Sequence, residues 1–344
     1  MLHIFRLKID MIDFKTKVEL PLGGLSIGYT DRMMLFGSCF SENIGSQLVL
    51  SKFNCDVNPF GILYNPFSVS AALRDVLSGR LYTGTDWELF ECDGWWSSYM
   101  HHSRFSAGTA ADCLERINTR LAQASTSFPL LNYLFITFGT ARIYRLASNG
   151  CVVANCHKQP SRLFNRELLT VDEVVAEYKP LIEQMISVNP ALQIIFTVSP
   201  IRHAKDGMHG NQLSKAVLLL AVEQLCSIFP CCHYFPSYEI QLDELRDYRF
   251  YADDMLHPSQ LAVAYIWECF KHCYFSKETL ETEKLCREIG RGLEHRPFRP
   301  DSAHYKDFLS QIVLRIHRVI EKYPTLDFKN ELELCHIRLN QSHT

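Results

Sequence analysis

A hydroxyl and a thiol follow each other where an apolar run of the chain ends. In MMLFGSCFSENIG the apolar residues stop at Gly37, Ser38 and Cys39 come next, and polar residues with helical spacing follow. Nucleophiles of α/β enzymes often occupy such a strand-to-helix turn, because it exposes the side chain at the sheet edge and directs helix amides at developing negative charge. The helix dipole there favours thiolate over thiol. We therefore interpret Cys39 as a nucleophile, with a buried structural thiol as the alternative. Ser38 is either the rival nucleophile or the helix N-cap.

A candidate general base lies far along the chain. In YADDMLHPSQLAVAYIWE, Asp254 precedes His257 by three residues, and Pro258 with Ser259 opens a predicted helix. A carboxylate at this spacing can bond one ring nitrogen of the imidazole while the other nitrogen faces the nucleophile. The alternative is that both side chains only cap the helix. We interpret His257 as the general base that deprotonates Cys39, and Asp254 as the carboxylate that orients His257.

Other polar side chains are candidates for substrate binding. Arg202 and His203 follow a predicted strand in SPIRH and could grip a carboxylate or phosphate, although pairing with Asp206 or Asp254 fits equally well. The stretch WWSSYMHHSRFS mixes tryptophan, histidine and arginine. It is either a substrate-facing loop that contains His102 or an ordinary aromatic cluster.

Apolar runs and helical patterns alternate along the chain. Strands are predicted at 32–38, 132–140 and 192–200 and near 233, and helices at 111–124, 171–188, 211–228 and 259–275. This alternation indicates a three-layer α/β/α sandwich with a mostly parallel sheet. Ligands in such folds collect at the carboxyl ends of the strands, and the turns after residues 36, 138 and 198 lie at that edge.

The last part of the chain has a different character. From about residue 276 the sequence is charged and helix-forming, with an apolar stripe of Ile312, Leu314, Ile316 and Ile320. We predict a catalytic domain over 12–275 and a C-terminal helical extension over 276–344, packed on that domain or on a second subunit. The stripe is a candidate homodimer face.

Composition narrows the classes of function. The chain has 344 residues, 47% hydrophobic and 21% charged, which is typical of a soluble globular protein. A net charge of -3 without a long basic run argues against nucleic acid as a partner. Thirteen scattered cysteines, no secretory leader and no apolar run long enough for a bilayer predict a cytoplasmic protein without membrane contact.

Cofactor motifs are missing from the sequence. It has no glycine fingerprint for nucleotides, CVVANCH lacks the haem spacing, and the adjacent cysteines of PCCHY suit zinc poorly. We predict neither a cofactor nor a metal.

Several motifs together carry a family resemblance. FGSCFSENIG, NPFGILYNP, WSSYMHHSRFS, NCHKQP, SPIRHAKDGMHGNQLSKA and YFPSYEIQLDELRDYRFYADDMLHPS resemble the GSCFA family, a branch of the SGNH or GDSL-like hydrolase superfamily. The superfamily's Gly-Asp-Ser block falls on Gly37, Ser38 and Cys39, and its Asp-x-x-His block falls on Asp254 and His257. The resemblance implies a flavodoxin-like SGNH fold and an acyl-transfer site with a thiol at the nucleophile position.

One superfamily feature is absent. The block that should supply an oxyanion-hole asparagine corresponds to FGTARIY, which has Gly139 and Thr140 instead. The backbone amides of Cys39 and Gly61 could form the hole, with the side chains of Thr140 or Asn65 as substitutes.

The resemblance implies an acyl-ester hydrolase that works through a covalent acyl-enzyme on an acylated, for example acetylated, carbohydrate or small ester. An O-acyltransferase acting on a polysaccharide or glycan is one alternative. A catalytically weak protein that binds a glycan or acyl group is the other.

Overall fold

The computed structural model describes residues 15–294 and 302–340. Its strands are β1 (Arg32–Gly37), β2 (Asn54–Val57), β3 (Leu89–Cys92), β4 (Trp95–Ser98), β5 (Tyr133–Phe138), β6 (Arg142–Leu146), β7 (Val152–Val153), β8 (Phe164–Leu168), β9 (Gln193–Val198) and β10 (Cys232–Tyr234). Its helices are α1 (Cys39–Leu50), α2 (Pro66–Ser78), α3 (Ala110–Ser127), α4 (Val171–Val188), α5 (Gly207–Ile228), α6 (Ser237–Glu239), α7 (Gln260–Tyr274), α8 (Lys277–Glu294), α9 (Ala303–Lys322) and α10 (Lys329–Asn340). Residues 12–14 of the predicted catalytic domain, and 295–301 and 341–344 of the predicted extension, lie outside the described residues.

Five parallel strands form the central sheet, in the order β2, β1, β5, β9, β10. Strands β1, β5 and β9 are almost wholly buried, which explains their continuous apolar sequences. The chain runs from β1 to β2 on one side and later places β5 on the other side of β1. The gap between β1 and β5 is therefore the topological switch point, where sheets of this kind bind ligands.

Helices cover both faces of this sheet. Met34 and Phe36 of β1 join a core cluster with α2, α3, α4 and α5. Met33 and Leu35, which point the opposite way, join a second cluster with α1, α7, α8 and α9. The three-layer α/β/α sandwich predicted from the sequence is confirmed.

The C-terminal helices belong to the second cluster. Ile312 and Ile316 of α9 are buried there, and Ile320 packs against the same core, whereas Leu314 is exposed. The stripe is thus mostly packed inside the chain, so Ile312 and Ile316 are not available for a dimer face, and the homodimer itself stays a prediction. The boundary between residues 275 and 276 stays a prediction.

Two small antiparallel sheets were not predicted. β3 pairs with β4, and β6 pairs with both β7 and β8 to form a three-stranded sheet inserted between β5 and α4. Short strand β2 and helix α2 were also missed, although Asn65 and Pro66 are typical helix-start residues. Among the described residues, no helix combines the length and apolar character needed to cross a bilayer.

Candidate functional site

A cavity of about 580 Å³ opens at the carboxyl edge of the sheet, over the switch point. It is lined by eight of the eleven predicted site residues: Ser38, Cys39, Asn65, His102, Thr140, Arg202, His203 and His257. Its size is within the range of small-molecule sites. The remaining three, Gly61, Gly139 and Asp254, are not part of this lining, but each contacts a residue that is: His102, Tyr64 and His257, respectively.

The turn after β1 presents Cys39 to the cavity. Gly37 has a φ of +142°, and a Cβ there would lie 2.2 Å from the carbonyl oxygen of Thr137, so only glycine fits between β1 and β5. Ser38 is buried, and its Oγ accepts a hydrogen bond from Phe40 N at 3.2 Å. Ser38 is thus the N-cap of α1, and Cys39 is the first helical residue, half-buried at the positive end of the helix dipole.

Among the described residues, the thiol has one polar side chain within hydrogen-bond distance, and it was not predicted from the sequence. Cys39 Sγ lies 3.7 Å from Tyr64 Oη, and the Tyr64 side chain also lines the cavity. Burial, and then the neighbouring Cys39, raise the pKa of Tyr64, so its hydroxyl stays protonated and can donate. The only sequence signal was the position of Tyr64 inside the NPFGILYNP motif.

Asp254 and His257 form the predicted pair. Asp254 Oδ1 accepts hydrogen bonds from the amides of Leu256 and His257 at 2.9 and 3.0 Å, and its Oδ2 lies 2.6 Å from His257 Nδ1. The His257 amide, then the Leu256 amide and the imidazole, lower the pKa of Asp254 to about 2. Because an ionised carboxylate only accepts, Nδ1 carries the proton and Nε2 is left as the basic nitrogen.

The pair and the thiol share the cavity but are not bonded to each other. Both His257 and Cys39 line it, and among the described residues no hydrogen bond joins His257 Nε2 to Cys39 Sγ. The side chains of His257 and Asp254 are 47% and 46% exposed, so water screens their interaction. Catalytic hydrogen bonds commonly close only when substrate binds.

Arg202 holds the loop that carries this pair. Its amide donates to Leu256 O at 3.1 Å, its Nη1 lies 3.4 Å from Met255 O, and its guanidinium lies 4.1 Å from the centre of the Tyr251 ring. Neither pairing considered for Arg202 from the sequence is formed. Since it lines the cavity as well, it can position His257 and face a ligand.

His203 is an uncharged residue in the wall of the cavity. Burial, and then the charge of Lys215, lower the pKa of His203 to about 4. Its ring packs edge-on against Tyr64 with centroids 6.1 Å apart, and its amide donates to Asn211 Oδ1 at 3.0 Å. His203 therefore supports the tyrosine that faces the thiol.

Gly61 does not supply an oxyanion donor. Its amide donates to Asn58 O at 2.8 Å, which corrects the expectation that this amide faces substrate. Its φ is +81°, and a Cβ would lie 2.2 Å from the Cβ of His102, so Gly61 lets His102 approach the cavity. Burial, and then Arg104, lower the pKa of His102, and its Nδ1 accepts from Arg104 N at 3.2 Å.

The polar groups that follow β5 also form hydrogen bonds within the chain. The amides of Gly139 and Thr140 both donate to Tyr64 O, at 2.8 and 2.9 Å, and Thr140 Oγ1 lies 3.0 Å from Ser214 Oγ. Either hydroxyl of this pair can be the donor, so the replacement of the missing asparagine by Thr140 stays a prediction. Asn65 is mainly the N-cap of α2, with Oδ1 accepting from Ser68 N at 2.8 Å.

A buried lysine lies beneath the site. Lys215 is 1% exposed, and its Nζ donates to Gly139 O and Ser199 O, both at 2.6 Å, so it joins the ends of β5 and β9. Burial lowers the pKa of Lys215 to about 7. A signal was present in the sequence, since Lys215 occupies the apolar face of α5 with Leu218 and Val222.

Comparison with known families matches the chain in two blocks. The model described as "GSCFA family" matches residues 32–270, and the one described as "GSCFA domain protein, C-terminal domain" matches residues 286–341. No curated protein matches the chain. The first block contains Cys39, Asp254 and His257, and the second covers α9 and α10. The chain therefore belongs to the GSCFA family.

Proposed function

We propose that the protein is an acyl-ester hydrolase that works through a covalent acyl-enzyme on Cys39. The observation that carries the proposal is that Cys39, at the start of α1, and His257, oriented by an ionised Asp254, line the same cavity. Membership of the GSCFA family is consistent with an enzyme. The substrate that we propose is an acylated, for example acetylated, carbohydrate or small ester, which suits a cavity of about 580 Å³.

Acylation moves one proton from Cys39 to the leaving alcohol in two transfers through His257, and it exchanges the C–O bond of the ester for an S–C bond. His257 Nε2 takes the proton of Cys39, and Sγ attacks the acyl carbon to form an S–C bond. The bond between the acyl carbon and the alcohol oxygen then breaks, and His257 returns the proton to that oxygen. Asp254 stabilises the imidazolium and keeps Nδ1 protonated throughout.

Two donors support the oxyanion in place of the missing asparagine. The Cys39 amide is in the first turn of α1, where amides have no acceptor within the helix. Tyr64 Oη, 3.7 Å from the sulfur, is close enough to meet an oxygen on the carbon bonded to that sulfur. Tyr64 thus takes the place of the Gly61 amide that was expected from the sequence.

Water completes the cycle. His257 takes a proton from water, the new hydroxyl attacks the thioester carbon, the S–C bond breaks, and the proton returns to the thiolate. A sugar hydroxyl in the place of water would give acyl transfer instead. Acceptor-dependent turnover separates these two outcomes.

The test uses stopped-flow hydrolysis of 4-nitrophenyl acetate. The native chain should release a burst of 4-nitrophenol equal to the enzyme concentration, and Cys39→Ala should lose it. Cys156→Ala is the matched control, because Cys156 lines the same cavity, yet burial raises its pKa to about 11 and leaves it a thiol. A burst that survives in Cys39→Ala would refute the proposal, and its loss in Ser38→Ala alone would transfer the role to Ser38.

A further inference from the structure

We infer that the ester taken by this cavity also carries an anionic oxygen group, a phosphate, sulfate or carboxylate, which Lys158, Arg166 and Lys205 bind. The inference rests on the proposed function for the ester and on the charge of the cavity wall for the anion. The three oxyanions share the chemistry of multiple acceptor oxygens and negative charge, and they are separated by the experiment below.

The cavity wall has one sign of charge. Five cationic side chains line it, and among the described residues no aspartate or glutamate does; the five are Arg142, Lys158, Arg166, Arg202 and Lys205. The whole chain has a net charge of -3, so the wall is opposite in sign to the molecule. A concave site of one sign raises the local concentration of ligands of the other sign.

Internal pairing leaves part of this charge uncompensated. Asp206, whose side chain is fully buried, pairs with both Arg142 and Arg166 and so neutralises one charge of two. Arg202 contacts a backbone carbonyl and two tyrosine rings, none of which neutralises its charge. Lys205 Nζ donates to Tyr144 Oη at 2.7 Å, which orients the ammonium without neutralising it.

Lys158 is exposed, and none of the described ion pairs includes it. An unusual backbone conformation holds Lys158 toward the cavity. His157 and Lys158 have φ values of +47° and +57°, a left-handed conformation that is unfavourable for residues other than glycine. The His157 ring, with Nε2 2.8 Å from Ser98 O, anchors the turn. Strain that the surroundings maintain is typical of ligand-binding loops.

The cations are grouped on one part of the wall. Arg166 belongs to β8 of the three-stranded sheet, Lys158 to the loop between β7 and β8, and Lys205 to the loop after β9. Arg166 and Lys205 both lie over the Tyr144 ring, with 5.5 and 5.1 Å to its centroid. A ligand that contacts both these cations and Cys39 extends across the cavity. Its anionic group is therefore a second point of binding for the ester substrate.

Two measurements test the inference on the full chain. The first is calorimetric binding of inorganic phosphate and of sulfate. The second is kcat/KM for phenyl acetate, 4-acetoxybenzoate and 4-acetoxyphenyl phosphate, at low and high salt. Both are made on the native chain, on Lys158→Gln with Lys205→Gln, and on Lys179→Gln as the matched control, because Lys179 is an exposed lysine of α4 outside the cavity.

We expect the native chain to favour one or both anionic esters over phenyl acetate. The double variant should lower that ratio, and weaken phosphate or sulfate binding, about tenfold, as is usual for lost charge-assisted hydrogen bonds. Lys179→Gln should change neither. The ratio of kcat/KM for the phosphate and carboxylate esters, together with the relative affinity for inorganic phosphate and sulfate, identifies which oxyanion the wall prefers, and added salt should reduce the preference.

The outcomes separate this inference from the proposed function. Hydrolysis of all three esters with equal kcat/KM, or a preference that the double variant retains, overturns the inference and leaves the hydrolase standing. Oxyanion binding that the double variant loses, without hydrolysis of any ester, supports the anion site and counts against the hydrolase. Failure to bind either oxyanion, together with hydrolysis of phenyl acetate alone, overturns the inference.

Discussion

Removal of the Tyr64 hydroxyl is the most informative perturbation of the proposed mechanism. Tyr64→Phe keeps the ring against His203, and the Tyr64 carbonyl, which accepts from Gly139 and Thr140, is untouched. What is lost is the donor 3.7 Å from Cys39 Sγ. The variant should therefore fold normally, with a change in unfolding free energy within about 0.5 kcal/mol.

The size of the kinetic effect follows from the exposure of this residue. A single donor in a closed oxyanion hole contributes roughly 2.7–4 kcal/mol to lowering the barrier. Tyr64 is 38% exposed, so water in the open cavity competes with its hydroxyl. We expect a loss of about 1.4–2.7 kcal/mol, which is a tenfold to hundredfold slower acylation.

The assay is the burst rate of 4-nitrophenol release, measured by stopped flow. The loss should appear in the rate constant of acylation with little change in KM, because the donor acts on charge that develops in the transition state. Tyr323→Phe is the matched control, since its hydroxyl donates to Glu278 outside the cavity. A burst rate in Tyr64→Phe within twofold of native would refute the role of Tyr64 as an oxyanion donor.

Two further predictions concern the groups that position the site. Asp254→Asn should slow acylation about a hundredfold, since the imidazole loses its tautomer control while water already screens the pair; a burst rate unchanged from native would contradict this role. In the native protein, a loss of acylation rate that begins above pH 4 as the pH falls cannot come from protonation of Asp254, because the pKa of Asp254 is about 2. Lys215→Met should make the unfolding free energy less dependent on pH. The folded amine loses its proton near pH 7, whereas the unfolded one keeps it to about 10.4, so the native chain should gain about 2 kcal/mol over the variant between pH 7 and 9. Urea titrations of native, Lys215→Met and the exposed control Lys179→Met measure this gain, and an equal pH dependence in all three would count against a depressed pKa for Lys215.

Local patterns in the sequence predicted the sheet and its turns. The strands at 133–138 and 193–198 are continuous apolar runs because helices cover both faces of the sheet, and such runs are visible without any tertiary information. Helix α4 was predicted with its observed bounds, since Thr170 and Glu173 form a capping box at its start. The three-stranded sheet was missed because β7 has only two residues and β6 and β8 are half-exposed.

The predicted site residues with short sequence separations found their expected partners. Asp254 and His257 are three residues apart, so their hydrogen bond depends on one loop alone. The contacts that decide the oxyanion donors join distant parts of the chain: Tyr64 O meets the amide of Gly139, and Lys215 Nζ meets the carbonyl of Gly139, 76 residues away. Which amides are already occupied depends on the packed sheet edge, which no local pattern reports.

The central claim is that His257 makes Cys39 a nucleophile toward acyl esters. The most direct measurement is peptide mapping by mass spectrometry after a brief exposure to 4-nitrophenyl acetate, for the native chain and for His257→Gln. We predict an acetyl group on Cys39, absent from Cys156 in the same cavity and lost in His257→Gln. Acetylation spread over many cysteines, and equal in both proteins, would contradict the account.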